Sequence, residues 1–507
     1  MKNDHSISGY TPALLAIGIV AVTAVIYHSA LCAGFVNWDD SVYVINNKLV
    51  RSLAPSNIAR MWTSFNGGFY IPLVWLTYAV TYHFWGLDPR MYHLVNVAFH
   101  CANAALVFIL FRRLLAVSGH RDGSALPGRG TGLAIAGLAA VLWSIHPLRV
   151  ESVAWVTEMK DVGCTFFFLL SLLAYVRYAA APARNMVFGG MSLLFFMLSL
   201  LYKQTVILLP LVMLCLDKWP LGRLGRIKDV AGLLREKAPF FILSIVSGVM
   251  LYVAHSTVVG ITPIKDIPLS FRVMNAFHSA FFYLAKTFLP VGLFPLYPIL
   301  RPHETAFSFE NVLSCILVIL ISAASFIWGR GRRSYIPVAW LIYLFTLVPS
   351  IGIVQSGRQA AADRFSYIPA MSITFLVSAA IISFPSLFKR RIHARIARAA
   401  VIAMIPILLI TLGILTVNQI SIWKDPISLW KHAARGYPVD SSLIHGNLAE
   451  AYMEAGETDK AIAEYRIAIS IDPKEAKFHL GLLNALHKAN RQDEAMAELM
   501  QALSSGK

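Results

Sequence analysis

Charge is what this sequence has least of. Only 14% of its 507 residues are Asp, Glu, Lys or Arg, and acids are scarcer than bases, 27 against 44. With 57% hydrophobic residues and a mean hydropathy of +0.62, the chain is too apolar for a soluble globular protein. Cysteine is also rare. The five that occur (Cys32, Cys101, Cys164, Cys215, Cys315) lie in or beside apolar runs without CxxC spacing, which argues against a disulfide framework or a zinc site. A single basic patch is missing too. The formal net charge of +17 comes from Lys and Arg residues that punctuate the apolar runs, so nucleic acid is not the expected partner. The N-terminus is not expected to be a cleavable signal, because its charged region is weak and further runs follow the first.

What the chain does have is repeated apolar runs of about 15–22 residues, long enough to cross a bilayer as helices. Basic clusters at Arg112/Arg113/Arg121/Arg129, Arg177/Arg184, Lys218/Arg223/Arg226/Lys228, Arg330/Arg332/Arg333 and Lys389/Arg390/Arg391/Arg395/Arg398 face the cytoplasm under the positive-inside rule. That assignment gives spans over 11–31, 91–113, 132–147, 162–180, 185–201, 204–217, 238–258, 309–328, 335–350, 367–387 and 399–419. The expected fold is an all-α, polytopic membrane domain over 1–420 with about 11 spans, the N-terminus inside and the C-terminus outside. Two apolar stretches do not fit as spans. Tyr70 to Gly86 is short and rich in Tyr and Trp, and Phe271 to Ile299 carries Arg272, Lys286 and three prolines. Both read as interfacial, the second with re-entrant as its alternative. The segment 32–90 becomes a long first external loop of membrane-parallel helices.

Ionisable residues at the outer ends of spans are functional candidates by default. Asp39 and Asp40 follow the first span directly; a carboxylate at the water–lipid boundary suits a general base. Of the two, Asp40 is favoured, because Asp39 could cap the helix that follows. Glu151, Glu158 and Asp161 lie seven and then three residues apart. On a continuous helix they would share a face with Trp155, beside Lys160 and Arg149 as ion-pair partners. Lys203 stands at the outer end of a hairpin, where an ammonium must snorkel or bind an anion. Arg358 and Arg364 could each offer a fork of donors to a phosphate, with Asp363 orienting one of them or merely pairing with Arg364.

Near residue 420 the composition becomes soluble, helical and mixed in charge. Leu448, Ala449, Tyr452, Ala461, Tyr465, Ala468 and Pro473 carry the spacing of one tetratricopeptide repeat, and Leu482, Leu483, Leu486, Ala495, Leu499 and Ala502 repeat it at the repeat's 34-residue period. A half repeat precedes them, from Trp423 through Trp430 and Ala433 to Pro438. The segment 421–507 is therefore read as a protein- or peptide-binding domain of about two and a half repeats.

Taken together, Phe35-Val36-Asn37-Trp38-Asp39-Asp40, Tyr92-His93-Leu94-Val95-Asn96, His146-Pro147 with Glu151 and Lys160-Asp161, Leu216-Asp217-Lys218-Trp219-Pro220-Leu221-Gly222-Arg223 and Asp363-Arg364-Phe365-Ser366-Tyr367-Ile368-Pro369 resemble the tetratricopeptide-repeat O-mannosyltransferases of membranes. The likeness is greatest to their bacterial relatives within the GT-C glycosyltransferases. The resemblance implies an inverting glycosyltransferase in a bacterial inner membrane, with the repeats in the periplasm. It would move a sugar from a polyprenyl-phosphate donor to an acceptor hydroxyl, and the acceptor protein or peptide would engage the repeats. No metal or other cofactor is implied. Asp39 or Asp40 is the implied base, with Glu151 beside it. Lys203, Arg364 and Arg358 are the implied phosphate ligands, and His93, His146, Lys160, Asp161 and Asp363 line the donor cavity. A lipid-linked sugar flippase or transporter, and a non-catalytic membrane scaffold, are the alternatives. The first would place charges near mid-span; the second gives the clustered outer acids no task.

Overall fold

The computed structural model describes residues 4–121, 129–260, 262–299, 302–353, 359–436 and 441–505. Arg358 and Pro438 lie outside them. The described chain is a bundle of helices with one two-stranded pair, as the apolar runs require: without water, a backbone crossing lipid must satisfy its polar groups within each helix. α1 (Asp4–Tyr27) opens the bundle. After it come α2 (Pro55–Thr63) and α3 (Pro72–Trp85), each with proline in its first turn, where the missing N–H costs nothing. α4 (Pro89–Arg121) and α5 (Arg129–Ser144) follow.

Beyond α5 the expected continuous helix is broken. The chain passes from α6 (Val150–Ala154) through extended Trp155 and a turn at Val156–Glu158 into α7 (Met159–Ala180). The cause is tertiary. Asn96 on α4 donates to the Trp155 carbonyl at 3.0 Å, and Tyr78 on α3 donates to that of Val156 at 2.9 Å. Side chains from other helices thus take carbonyls that a helix would have used.

α7 packs tightly against α8 (Met186–Tyr202), whose Asn185 cap accepts from the Val187 N–H at 3.0 Å. Gly163 makes the approach possible, since a Cβ there would lie 2.5 Å from the Tyr202 ring. Two hydrogen bonds, Ser199 Oγ to the Cys164 carbonyl at 2.7 Å and Ser171 Oγ to the Ser192 carbonyl at 2.8 Å, hold the pair in register. The chain then runs through α9 (Leu209–Lys218), α10 (Ile227–Glu236), α11 (Ala238–Ala254), α12 (Leu269–Phe288), α13 (Pro302–Thr305), α14 (Phe309–Trp328), α15 (Tyr335–Leu347), α16 (Ala370–Ser383) and α17 (Arg391–Ile422). β1 (Tyr297–Pro298) pairs antiparallel with β2 (Gln359–Ala361) and ties the chain after α12 to the segment before α16.

Among the described residues seven helices are long and apolar enough to cross a membrane, or up to eight if Gly130–Ser144 and Pro147–Ala154, bent by 60°, form one broken span. Eleven spans were expected. Met186–Tyr202 and Tyr335–Ser350 are apolar but shorter, and 204–217 divides into a 3-10 turn and the ten-residue α9. Pro210 in the first turn of α9 marks that division.

The C-terminal part is a stack of paired helices: α18 (Pro426–Gly436), α19 (Ser442–Glu454), α20 (Thr458–Ile471), α21 (Ala476–Lys488) and α22 (Gln492–Ser505). Ala461, Tyr465, Ala468, Leu482, Ala485 and Leu486 fill the space between them. The alternation of small and large residues is what lets successive pairs stack.

Candidate active site

Of the polar residues singled out above, Asp39, Glu158, Lys160, Lys203 and Arg364 share one cavity of about 290 Å³, which Trp38 and Phe69 also line. Its acids come from the first loop and the broken segment before α7, and its cations from the first turn of α7, the end of α8 and the segment before α16.

The two adjacent aspartates face different ways. Asp40 is 1% exposed. One of its oxygens accepts from the Val36 N–H at 2.9 Å, and the other accepts from the Thr157 N–H at 3.0 Å and from the Thr157 hydroxyl. It staples the first loop to the turn at Val156–Glu158, and burial pushes its pKa up to about 6 against the pull of those bonds. Asp39 caps nothing. The Asp39 backbone carbonyl accepts from Val42 and Tyr43, but its carboxylate, 39% exposed, faces the cavity with Lys160 Nζ 3.9 Å away. The reason for preferring Asp40 as the base is thereby removed: the residue with its carboxylate bound to backbone N–H groups is Asp40.

Glu158 lies at the centre of the cations, 3.0 Å from Lys203, 3.5 Å from Lys160 and 3.5 Å from the Arg364 Nε. Asp161 takes a second bond from Lys203 at 2.6 Å and accepts from Ser152 Oγ at 3.1 Å. Glu151 accepts the Arg364 N–H at 2.8 Å and also its guanidinium. The backbone break at Trp155 thus lets Glu151 and Glu158 meet the same arginine from two directions. Arg364 does not pair with Asp363. Its remaining fork reaches Gln359 Oε1 at 3.1 Å, and its guanidinium lies over the Trp155 ring at 5.4 Å. Asp363 accepts from the Tyr297 hydroxyl at 2.9 Å, and burial holds its carboxyl pKa well above the usual range.

His93 and His146 have structural partners. His93 Nε2 is 3.3 Å from the Gly34 carbonyl oxygen, which anchors the first loop to α4. His146 Nε2 lies 3.0 Å from the Thr287 carbonyl oxygen, and its Nδ1 accepts from Leu148 N. Neither ring lines the cavity. Among the described residues no His, Cys, Asp and Glu cluster has the make-up of a metal site.

Three features had no signal in the sequence strong enough to single them out. Glu158 was one acid of three and is the one shared by all three cations. Trp38 lines the cavity and stacks at 4.7 Å on the buried Trp155 behind it. Inward of Lys203 and Arg364 a narrow space of about 20 Å³ shares Phe168 and Ile368 with an apolar cleft of about 60 Å³, lined by Leu172, Trp219 and Phe375.

The tetratricopeptide-repeat family model matches residues 449–490. Human protein O-mannosyl-transferase TMTC1 is 24% identical over 97% of this chain and 58% of its own length. A Caenorhabditis elegans protein O-mannosyl-transferase is 23% identical over 90% of this chain and 62% of its own. Drosophila melanogaster protein O-mannosyl-transferase Tmtc1 is 32% identical over 44% of this chain and 25% of its own. The chain spans less than two-thirds of the length of each of them. Across nearly its whole length, then, this chain is related to these protein O-mannosyl-transferases, and it carries a tetratricopeptide repeat in its C-terminal part.

Proposed function

We propose that the chain is a polyprenyl-phosphate-dependent glycosyltransferase of GT-C type that moves mannose to a hydroxyl of an acceptor protein. It would sit in a bacterial inner membrane with the cavity and repeats on the periplasmic side. The observation that carries the reading is a half-exposed carboxylate, Asp39, sharing a cavity with Lys160, Lys203 and Arg364. The names of the relatives supply the sugar and the acceptor class.

In this reading Asp39 takes the proton of the acceptor hydroxyl as its oxygen attacks the anomeric carbon. The bond from that carbon to the phosphate oxygen breaks in the same step, with inversion. The leaving polyprenyl phosphate carries away the electron pair, and Lys203 and Arg364 meet the charge as it develops. Lysine and arginine donors supply this stabilisation, so the reading needs no divalent metal. The adjoining apolar cleft has the chemistry to take the first isoprene units. Phosphate competes with Glu158 for the cations, which keeps them from binding any passing anion tightly.

The test is transfer from polyprenyl-phosphate mannose to endogenous membrane proteins, followed by mass spectrometry. Wild-type membranes should add hexose to serine or threonine residues and Asp39→Asn membranes should not. Equal hexose addition by both would remove the reading of Asp39, and no addition by wild type would remove the function.

A further inference from the structure

The first helix of the repeats packs against Trp38, a residue of the cavity wall. Trp430 on α18 donates its indole N–H to Asn37 Oδ1 at 2.8 Å. The same amide donates through Nδ2 to the Asn447 carbonyl on α19 at 3.0 Å, so Asn37 spends both ends of its side chain on the repeats. The Gly34 N–H donates to the Lys424 carbonyl at 2.8 Å. Between Asn37 and Asp39 stands Trp38, whose ring tilts against Trp430 at 5.1 Å and stacks on Trp155 at 4.7 Å; Trp155 stacks in turn on Trp423 at 5.7 Å. The Arg364 guanidinium lies over both Trp38 and Trp155. α18 is also held from another direction, with His432 Nε2 3.1 Å from the Leu293 carbonyl oxygen and the Phe294 ring packed where a Cβ on Gly436 would sit.

Asp39 has little of its own to fix it. The ion pair of its side chain with Lys160 is 3.9 Å long, beyond hydrogen-bond reach. Its place is therefore set by the backbone, and two residues upstream that backbone is fastened to the repeats. From this we infer that Asn37 and Trp430 are positioning residues for Asp39: α18 belongs to the transfer machinery, and the repeats set the base as well as receive the acceptor. The inference rests on the proposed transferase reading. Misplacing a reacting group by about 1 Å can cost about 10²-fold in rate, while donor binding at Lys203 and Arg364 is left alone.

The experiment uses the full chain in detergent, with polyprenyl-phosphate mannose and a serine/threonine peptide. Trp430→Phe keeps a ring and removes the N–H; Asn37→Ala removes the acceptor from the other side. Each should lower kcat about 10–100-fold while the KM for the lipid donor stays within about twofold. Because both cut the same bond, the double variant should lose little more than the worse single one. Should one variant fail to fold, the other still tests the Trp430–Asn37 bond, although Asn37→Ala also removes the bond to the Asn447 carbonyl. Unchanged kcat in a folded variant, a rise in donor KM alone, or fully additive losses would each overturn the inference. A wild-type protein that transfers nothing overturns the transferase reading instead.

Discussion

Asp39 and Asp40 are neighbours in the chain with opposite surroundings, and substitution separates them. Asp39→Asn should leave accumulation and thermal stability unchanged while transfer falls by about 10²–10⁴-fold, the usual contribution of a general base. Asp40→Ala should act on folding. It strands the Val36 and Thr157 donors, at about 1–3 kcal/mol for each buried group left unpaired, so a lower melting temperature in detergent is expected. Arg364→Lys keeps the charge and the backbone bond to Glu151 but loses the planar fork that reaches Glu151 and Gln359. We expect turnover of the lipid donor to drop about 10²–10³-fold with unchanged membrane insertion; near wild-type turnover would place the phosphate ligand elsewhere. The aspartate pair was legible in the sequence because two acids beside a span stand out in a chain so poor in charge. Which of them is free was not legible, since Thr157 lies 117 residues away from Asp40.

At the scale of elements, the α7–α8 hairpin delivers Lys203 to the cavity, and Gly163 governs how closely the helices approach. Gly163→Ala would push a Cβ into the Tyr202 ring, the residue immediately before Lys203. Overpacking of this kind costs about 1–3 kcal/mol, so both stability and transfer should fall, and differential scanning fluorimetry beside the transfer assay checks the pair. In the repeats, His445 meets Glu464 at 2.6 Å and His479 meets Glu498 at 2.5 Å, one repeat length apart. Burial would lower the pKa of His479, but its bonds to the Pro473 carbonyl and to Glu498 win, and the pKa is raised above the ordinary value. The folded state therefore holds the proton more tightly than the unfolded one. Its stabilisation is complete below about 6.5, the unfolded histidine value, and is lost as pH rises through the folded value. Hydrogen exchange across residues 476–505, corrected for intrinsic rate, should show weaker protection at mildly alkaline than at mildly acidic pH. His479→Gln should remove most of that difference.

For the whole molecule, the parity of the spans decides which side of the membrane the repeats face. Seven spans, or the eleven of the charge pattern, put the two ends on opposite sides; eight, with the bent pair counted as one span, put them together. We expect the repeats outside. Reporter fusions active only in the cytoplasm should then be bright after Arg113, Arg184 and Arg333 and silent after Gln419. A bright fusion after Gln419 would reverse the assignment.

By itself the sequence determined the class of molecule: an all-α membrane domain followed by repeats, with acids and cations gathered at a few span ends. These follow from composition and period, which are local and survive any rearrangement of neighbours. It did not determine that Glu151 and Glu158 would meet one arginine, because the helix expected there is broken by Asn96 and Tyr78 from other helices. Nor did it determine that Asp40 would be sealed by Thr157, or that a tryptophan of the repeats would bind the loop that carries Asp39. Those pairings depend on which carbonyls and carboxylates remain unsatisfied once the helices pack, and a buried polar group is satisfied by whatever donor the fold brings near it, however distant in the chain.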